Sequence, residues 1–256
     1  MKTYETAVIV KTSLLAGGIY EMYLETQAAK SARPGQFVMV YPGDGSMILP
    51  RPISICEAIG RKVLRLVYRV SGKGTREFSG LREGNEVRIL GPLGNGFPLD
   101  AAIGKRAVLI GGGIGLPPIL ELSKRIKAES VTTLLGYRND DLFLRNDFKK
   151  YSKTVIATED GSVGTRGNVL DAMREKNIEC DVIYACGPMP MLRAIKKYAE
   201  EKGITAYISL EERMACGVGA CLGCVCRTVK KDAHSHVNNA RVCTEGPVFE
   251  ASEVDI

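Results

Sequence analysis

Apolar and polar residues alternate in short runs along the first hundred residues. The runs, which turns containing Gly or Pro separate, are YETAVIVK, IYEMYLET, QFVMVY, KVLRLVYRV and EVRIL. Alternation with a period of two sends one set of side chains into a core and the other toward solvent, as in half-buried strands. We therefore predict an antiparallel barrel or sandwich over residues 1–100.

A different rhythm begins after the segment GPLGNGFPLDAAIG (91–104), whose Gly and Pro content indicates a domain boundary. Beyond it we predict strands at KRAVLI, SVTTLLGYR, DVIYACG and ITAYISL, and helices at LPPILELSKRIKAE, GNVLDAMREKN and PMLRAIKKYAEEKG. Strands that alternate with helices form βαβ units and a parallel sheet. The predicted fold is multidomain, β plus α/β, with an α/β domain over 101–210 and a small C-terminal segment over 211–256.

Composition and charge exclude several classes of protein. Hydrophobic residues make up 45% of the 256 positions, which is enough to build real cores. The N-terminal sequence MKTYETAVIVKT has no apolar stretch of signal-peptide length, and no run of about 18 apolar residues occurs, so we expect a cytoplasmic protein without a membrane span. The net charge of +6 is mild and the basic residues are scattered, which argues against nucleic acid as a partner.

A glycine-rich motif, GGGIGLPP (111–118), stands where the first strand of the parallel sheet turns into a helix. Pro117 replaces the third glycine of the G-x-G-x-x-G pattern, and such turns often serve packing alone. Glycines there also let backbone N–H groups approach a pyrophosphate at the helix N-terminus. The motif therefore predicts dinucleotide binding by Gly111, Gly112, Gly113 and Gly115.

A second turn, CGPMPML (186–192), follows another strand of the same sheet. Ligands of open parallel sheets bind at the carboxyl ends of the strands, so Cys186, Gly187 and Pro188 would face the same crevice. The alternative for Cys186 is a buried small hydrophobic side chain, since free cysteines are often buried. The two turns corroborate each other and predict one nucleotide site.

Two motifs in the barrel half could hold phosphate. Arg51, fixed beside Pro52 in RPISI (51–55), can present a bidentate fork. The Gly-Lys-Gly-Thr turn of YRVSGKGT (68–75) can supply N–H donors at the start of a short helix. Taken singly, Arg51 and Arg69 could equally be solvated charges and the turn a simple hairpin.

Four of the eight cysteines lie within EERMACGVGACLGCVC (211–226). In a reducing compartment such clustering favours metal ligation over disulfides, and structural zinc prefers two short-spaced pairs. The C-x4-C-x2-C…C spacing of plant-type [2Fe–2S] proteins is met by Cys216, Cys221, Cys224 and Cys243. We predict a [2Fe–2S] cluster on these four ligands. A packing role is assigned to Cys56, Cys180 and Cys226.

The motifs together resemble a known family, the electron-transfer subunits of type B dihydroorotate dehydrogenase, which have a ferredoxin-reductase-like core. The similarity spans nearly the whole chain and rests on the order RPIS, YRVSGKGT, GPLGNGFP, GGGIGLPP, EDGSVG, CGPMPML and the cysteine block, which ends in VCTEGPVF. It implies an FAD-binding barrel, a NAD-binding α/β domain and a [2Fe–2S] segment. It also implies FAD contacts by Arg51, Pro52, Ile53, Ser54, Tyr68, Arg69, Val70, Gly74 and Thr75.

The resemblance further implies a partner. A catalytic subunit with flavin mononucleotide would oxidise dihydroorotate to orotate in pyrimidine synthesis, within a heterotetramer of two plus two chains. Its electrons would pass through the cluster and FAD to NAD. FAD suits the middle of this path, because a flavin exchanges hydride with nicotinamides and single electrons with clusters. The sequence has no second barrel-sized domain to bind a dihydropyrimidine, so the partner is needed.

Alternatives remain open at this point. The flavin and iron–sulfur subunit of an electron-bifurcating ferredoxin:NADP oxidoreductase, or of sulfide dehydrogenase, shares the core but resembles a pattern with Asp at one cluster position, where Cys216 stands here. A redox-sensing or scaffold module would not need two nucleotide crevices. NAD and NADP are not distinguished by the residues, because Arg138 could bind a 2′-phosphate that Asp140 and Asp141 would repel. The family favours NAD.

Overall fold

A barrel of six antiparallel strands forms the first part of the chain. The computed structural model describes residues 2–231 and 236–256. The strands are β1 (Thr3–Ala16), β2 (Ile19–Glu25), β3 (Phe37–Tyr41), β4 (Arg51–Ile59), β5 (Val63–Arg69) and β6 (Glu86–Leu93). They close in the order β1-β2-β5-β4-β3-β6, and helix α1 (Lys73–Gly80) connects β5 to β6. The predicted antiparallel barrel is confirmed.

Strand β3 shows how the alternation of the sequence builds two cores. Val38 and Val40 pack inside the barrel, where they join Ile53 and Ile55 of β4. Phe37 and Met39 belong to a second core outside the barrel, which the α/β domain and the C-terminal segment share. Successive side chains of a strand point to opposite faces, so this one short strand contributes to both cores.

The α/β domain is built on a seven-stranded sheet with helices on both faces. Its elements are β7 (Arg106–Gly112), α2 (Leu116–Arg125), β8 (Ser130–Tyr137), α3 (Arg145–Phe148), β9 (Lys153–Thr158), β10 (Thr165–Arg166), α4 (Val169–Glu175), β11 (Val182–Cys186), α5 (Met189–Lys202) and β12 (Thr205–Ser209). All neighbouring pairs among these strands are parallel, as predicted. Of the helices in the described parts of the chain, none has the length and apolarity to cross a membrane.

The C-terminal segment is tied to the α/β sheet at its end. A hairpin of β13 (Val225–Arg227) and β14 (Asn239–Arg241) is followed by β15 (Val248–Glu250), which pairs antiparallel with β12. The sheet order is therefore β10-β9-β8-β7-β11-β12-β15. The Gly- and Pro-rich boundary segment also holds this region, because Asn95 N donates to Gly246 O at 2.6 Å.

Buried charges join the barrel to the α/β domain. Arg65 of β5 is 6% exposed and contacts Glu21 (2.7 Å) and Glu57 (2.8 Å) in the barrel, and Asp147 of the α/β domain (3.0 Å). Beside it, the buried carboxylate of Glu121 on α2 accepts a hydrogen bond from Ala58 N of the barrel at 3.1 Å. Arg65 thus contacts three carboxylates where the two domains meet, and Lys11, Lys124 and Lys150 contact the same three from more exposed positions.

Arg65→Met should destabilise the protein by about 3–5 kcal/mol, because it removes the buried cation that contacts all three carboxylates and leaves them with the more exposed lysines alone. The measurement is the free energy of unfolding in urea. Arg106→Met is the matched control: Arg106 also contacts two carboxylates, Asp181 and Glu179, but all three are exposed, so little change is expected. Equal effects of the two substitutions would contradict the assigned role of Arg65.

Candidate nucleotide crevice and cysteine cluster

The two predicted nucleotide turns lie side by side at the carboxyl edge of the sheet. Strands β7 and β11 are parallel neighbours, with Gly111 opposite Cys186 in the register. Gly115 packs against the Cys186 carbonyl, and a Cβ at this position would lie only 2.6 Å from Gly187 N. Only glycine allows this approach, which closes the two turns into one crevice.

The helix that follows the first turn presents its N-terminus to this crevice. Helix α2 begins at Leu116, directly after the 3-10 turn Gly113–Gly115, and has proline in its first turn. The unpaired N–H groups of a helix N-terminus, together with the helix dipole, favour a phosphate group. The structure therefore brings together the glycine turn, the CGP turn and an anion-binding helix end.

Cys186 is a neutral group at the bottom of this crevice. Burial raises the pKa of its thiol to about 12, and Glu211 adds to the effect, although a hydrogen bond with Ser209 acts in the opposite direction. Ser209 lies opposite Cys186 at the end of β12. No sequence pattern indicated Ser209, because only the parallel register of β11 and β12 brings it to the thiol.

The barrel motifs RPISI (51–55) and YRVSGKGT (68–75) form a second binding region, the flavin cradle. The Arg51 guanidinium lies over Gly74, where a Cβ would stand 2.7 Å from its Nε. Arg51 Nη1 donates to the Leu49 carbonyl, and Thr75 Oγ1 accepts hydrogen bonds from the Ser71 and Gly72 N–H groups at 3.0 and 3.2 Å. These contacts fix the start of α1 beside the arginine.

Other residues assigned to FAD are placed differently. Tyr68 is buried, and its hydroxyl has no hydrogen-bond partner among the described residues, which leaves it available to a bound group. Ile53 packs inside the barrel and Val70 packs against the same core, so both can reach a ligand mainly through the backbone. Pro52 and Ser54 alternate with Ile53 along β4 and therefore lie on the outer face of the barrel. A flavin fits this cradle.

The flavin cradle and the nucleotide crevice meet at Arg69. Its side chain is exposed, and its Nη2 lies 3.8 Å from the point where a Cβ of Gly113 would stand. Arg69 belongs to the barrel and Gly113 to the glycine turn of the α/β domain. Ligands bound in the flavin cradle and in the nucleotide crevice would therefore be close neighbours.

The four cysteines of the predicted cluster lie in two pairs. The thiols of Cys216 and Cys221 are within hydrogen-bonding reach of each other, and so are those of Cys224 and Cys243. Cys221 is exposed, whereas Cys224 and Cys243 are buried. One pair thus stands near the surface and the other lies in the core.

Backbone N–H groups turn toward the outer pair. Val218 N donates to Cys216 Sγ and Gly223 N donates to Cys221 Sγ, both at 3.4 Å. Burial would raise the pKa of Cys216, but these and neighbouring N–H groups outweigh it and lower the pKa to about 6. In the inner pair, burial and then the Cys224 thiol raise the pKa of Cys243 to about 11.

The paired arrangement distinguishes a cluster from a single ion. In residues 2–231 and 236–256, no group of three or more His, Cys, Asp or Glu side chains is arranged to hold one metal ion. A [2Fe–2S] centre takes four cysteines, two on each iron, so two pairs of thiols suit it. The donor set therefore fits the binuclear cluster. Cys56, Cys180 and Cys226 are buried among hydrophobic residues, which raises the pKa of each thiol.

Comparisons with known proteins match both halves of the site. Residues 211–255 match the family described as the iron-sulfur cluster binding domain of dihydroorotate dehydrogenase B. Residues 109–197 match the oxidoreductase NAD-binding domain family. The two matches fall on the cysteine segment and on the sheet that carries the crevice.

Similar proteins cover the whole chain. It is 44% identical to the dihydroorotate dehydrogenase B (NAD(+)) electron transfer subunit of Geobacillus sp. (strain WCH70), with 99% of each chain covered. It is 41% identical to the protein of the same name from Fusobacterium nucleatum subsp. nucleatum, with 98% of each covered. The solved structure of an NADH-dependent reduced ferredoxin-NADP oxidoreductase, studied for flavin-based electron bifurcation, has a TM-score of 0.87 and 29% identity over 97% of this chain and 89% of that chain.

Each of the four cluster cysteines should be required for iron binding. Replacement of Cys216, Cys221, Cys224 or Cys243 by Ser should abolish or severely weaken the visible absorption of the cluster and lower the iron content. Cys226→Ser is the matched control from the same segment and should keep both. Loss of the cluster in this control alone would overturn the ligand assignment.

Arg51→Ala should release FAD while the α/β domain stays folded, because the substitution removes the predicted clamp on the ligand and Arg51 lies outside the hydrophobic cores of the described residues. The measurements are FAD per chain after gel filtration and the circular dichroism of the protein. Arg82→Ala serves as control, since Arg82 is also an arginine of the barrel that donates to nearby backbone carbonyls but lies outside the motifs assigned to FAD. Full FAD occupancy in Arg51→Ala would show that Arg51 is a surface charge.

Proposed function

Since this chain belongs to the family of electron-transfer subunits of NAD-linked dihydroorotate dehydrogenase B, we propose that it carries electrons from dihydroorotate to NAD. Dihydroorotate is oxidised at the flavin mononucleotide of a partner catalytic subunit. The electrons reach NAD through the [2Fe–2S] cluster and FAD of this chain. The reaction belongs to pyrimidine synthesis.

The main support for this proposal is that the flavin cradle lies next to the nucleotide crevice. Arg69 of the flavin cradle lies against Gly113 of the nucleotide turn, so a flavin and a nicotinamide can approach each other directly. The inner cysteine pair, Cys224 and Cys243, lies in the same chain and shares a core with strand β3 of the barrel. A bound flavin supplies the exchange between hydride transfer and single-electron transfer.

The residues of the chain position the ligands and shield them. The glycine turn and the N-terminus of α2 bind the pyrophosphate of the nucleotide. Cys186 stays protonated at neutral pH, so it adds no charge where the nicotinamide stacks. Leu116 packs against Gly111 and Met191 packs against Gly112, so the two side chains hold the glycine turn in place. Arg51, Ser54, Tyr68 and Thr75 orient FAD.

The partner surface is placed around the outer cysteine pair. Val218, Leu222 and Val225 are 46%, 61% and 38% exposed and flank the exposed Cys221. Apolar side chains grouped at a surface indicate protein contact, and here they surround the point where electrons would enter. The catalytic subunit covers this face, and the complex contains two copies of each chain.

The remaining assignments follow the family. The nucleotide is NAD rather than NADP, as in the names of the related subunits, since Arg138 and the pair Asp140 and Asp141 after β8 favour opposite choices. The protein works in the cytoplasm. The second candidate function is that of the electron-bifurcating subunit, which the similarity to the ferredoxin-NADP oxidoreductase favours. Cys216 in the first ligand position and the full-length identity to the dihydroorotate subunits favour the first.

A pair of assays should separate the two parts of the path. With FAD and its cluster, this chain alone should oxidise NADH with an artificial dye and should not oxidise dihydroorotate. Addition of the catalytic subunit should create NAD reduction that depends on dihydroorotate. Cys221→Ser should lose the coupled reaction and keep the dye reaction, because only the coupled reaction passes through the cluster.

FAD content and complex formation are measured for every variant. Cys226→Ser is the control variant and should keep both the dye reaction and the coupled reaction. A Cys221→Ser protein that assembles normally and still couples dihydroorotate to NAD at the wild-type rate would show that the cluster is not on the path. Coupling to ferredoxin but not to dihydroorotate would instead support the bifurcating function.

A further inference from the structure

One strand separates the cysteine segment from the flavin cradle. Strand β3 pairs with β4, and Met39 stands directly opposite Pro52 in the register. Side chains of directly opposed residues share a face of the sheet, with Cβ atoms about 5 Å apart. Val38 and Val40 face the barrel interior, so Met39 and Pro52 are neighbours on the outer face.

The cysteine segment touches this face at Gly217. Gly217 follows Cys216 directly, has a φ of +69° and is buried. A Cβ at Gly217 would lie 2.7 Å from Met39 Cγ and 3.1 Å from Leu93 Cδ1. The backbone beside a cluster cysteine therefore rests on the Met39 side chain, which is itself fully buried.

We propose that Met39 is a positioning residue that sets the separation between the cluster and the flavin. The Met39 side chain lies between the backbone at Cys216 and Gly217 on one side and Pro52 of the flavin cradle on the other. Neighbouring strands are about 4.8 Å apart, so this route crosses one strand spacing through closely packed apolar atoms. The inference rests on the proposed function, because it requires FAD in the cradle that includes Pro52.

The transfer across Met39 involves electrons only. Bound NADH would supply the flavin with a hydride, which carries two electrons and one proton, and would leave as NAD. The cluster would accept electrons from the reduced flavin one at a time, and protons lost by the flavin would go to solvent. Met39 holds the two carriers at a fixed separation and does not itself change oxidation state.

Leu93 provides a matched control within the same contact. It is fully buried, touches the same point of Gly217 and lies on β6. In the register it stands opposite Phe37, on the side of β3 away from β4 and the flavin cradle. Met39→Ala and Leu93→Ala both remove a buried side chain below the cluster loop. Of the two, Met39→Ala removes the packing between this loop and Pro52.

The test is rapid mixing of NADH with the chain that holds FAD and cluster, followed at the flavin and cluster absorbance bands. Met39→Ala should slow cluster reduction several-fold relative to flavin reduction, and Leu93→Ala and the volume-conserving Met39→Leu should not. Gly217→Ala should slow cluster reduction as well, because its added Cβ must displace the loop from the Met39 side chain. FAD content, iron content, the visible circular dichroism of the cluster and the unfolding temperature are measured for each variant.

The outcomes distinguish a positioning role from ordinary packing. If Met39 served packing alone, Met39→Ala and Leu93→Ala would lower the unfolding temperature and leave the ratio of the two reduction rates unchanged, or would change it equally, and either result overturns the inference. If Met39→Ala does not fold, Gly217→Ala against Leu93→Ala gives the same comparison. A wild-type cluster that NADH does not reduce at all would instead contradict the proposed function.

Discussion

Burial of strand β3 on both faces is the constraint on which the arrangement of the binding regions depends. Val38 and Val40 hold β4, which begins at Arg51, against the barrel core, whereas Phe37 and Met39 hold the cysteine segment on the outside. Full burial of each such side chain contributes about 1.5–3 kcal/mol. A slip of one residue in the pairing would exchange the two faces, so the register of β3 with β4 is strongly specified.

Among the contacts that join the barrel to the rest of the chain, two have opposite chemistry. Around Arg65 the contact is ionic, and the fork of the guanidinium fixes the orientation of the α/β domain by directional hydrogen bonds. Around Met39 the contact is apolar and closely packed, and the buried side chains that share this core are hydrophobic. The directional contact suits the alignment of nicotinamide and flavin, and the apolar one suits a fixed distance in a medium of low polarity.

Local chemistry could be predicted from the sequence, whereas contacts between distant segments could not. The helices near 116–125, 169–175 and 189–202 and most barrel strands follow from periodicity, and the cysteine spacing alone selects the four ligands. Strand β4 was recognised only as the RPISI motif, because Pro52 interrupts its pattern. Strands β9 and β10 were missed, and β13, β14 and β15 have three residues each, which is too short for a periodic signal. Their place is set by partners such as β12, as is the contact of Ser209 with Cys186.

The pairing of β15 with β12 closes the cysteine segment into a loop whose ends meet through backbone hydrogen bonds. Leu210 N donates to Pro247 O at 2.8 Å, directly at the point where the segment leaves and rejoins the sheet. Closing a flexible loop of this length costs on the order of 3 kcal/mol in chain entropy, and here the sheet offsets that cost in advance. A factor of ten in affinity corresponds to about 1.4 kcal/mol, so the closed loop should bind iron about a hundredfold more tightly than the same cysteines on an open tail.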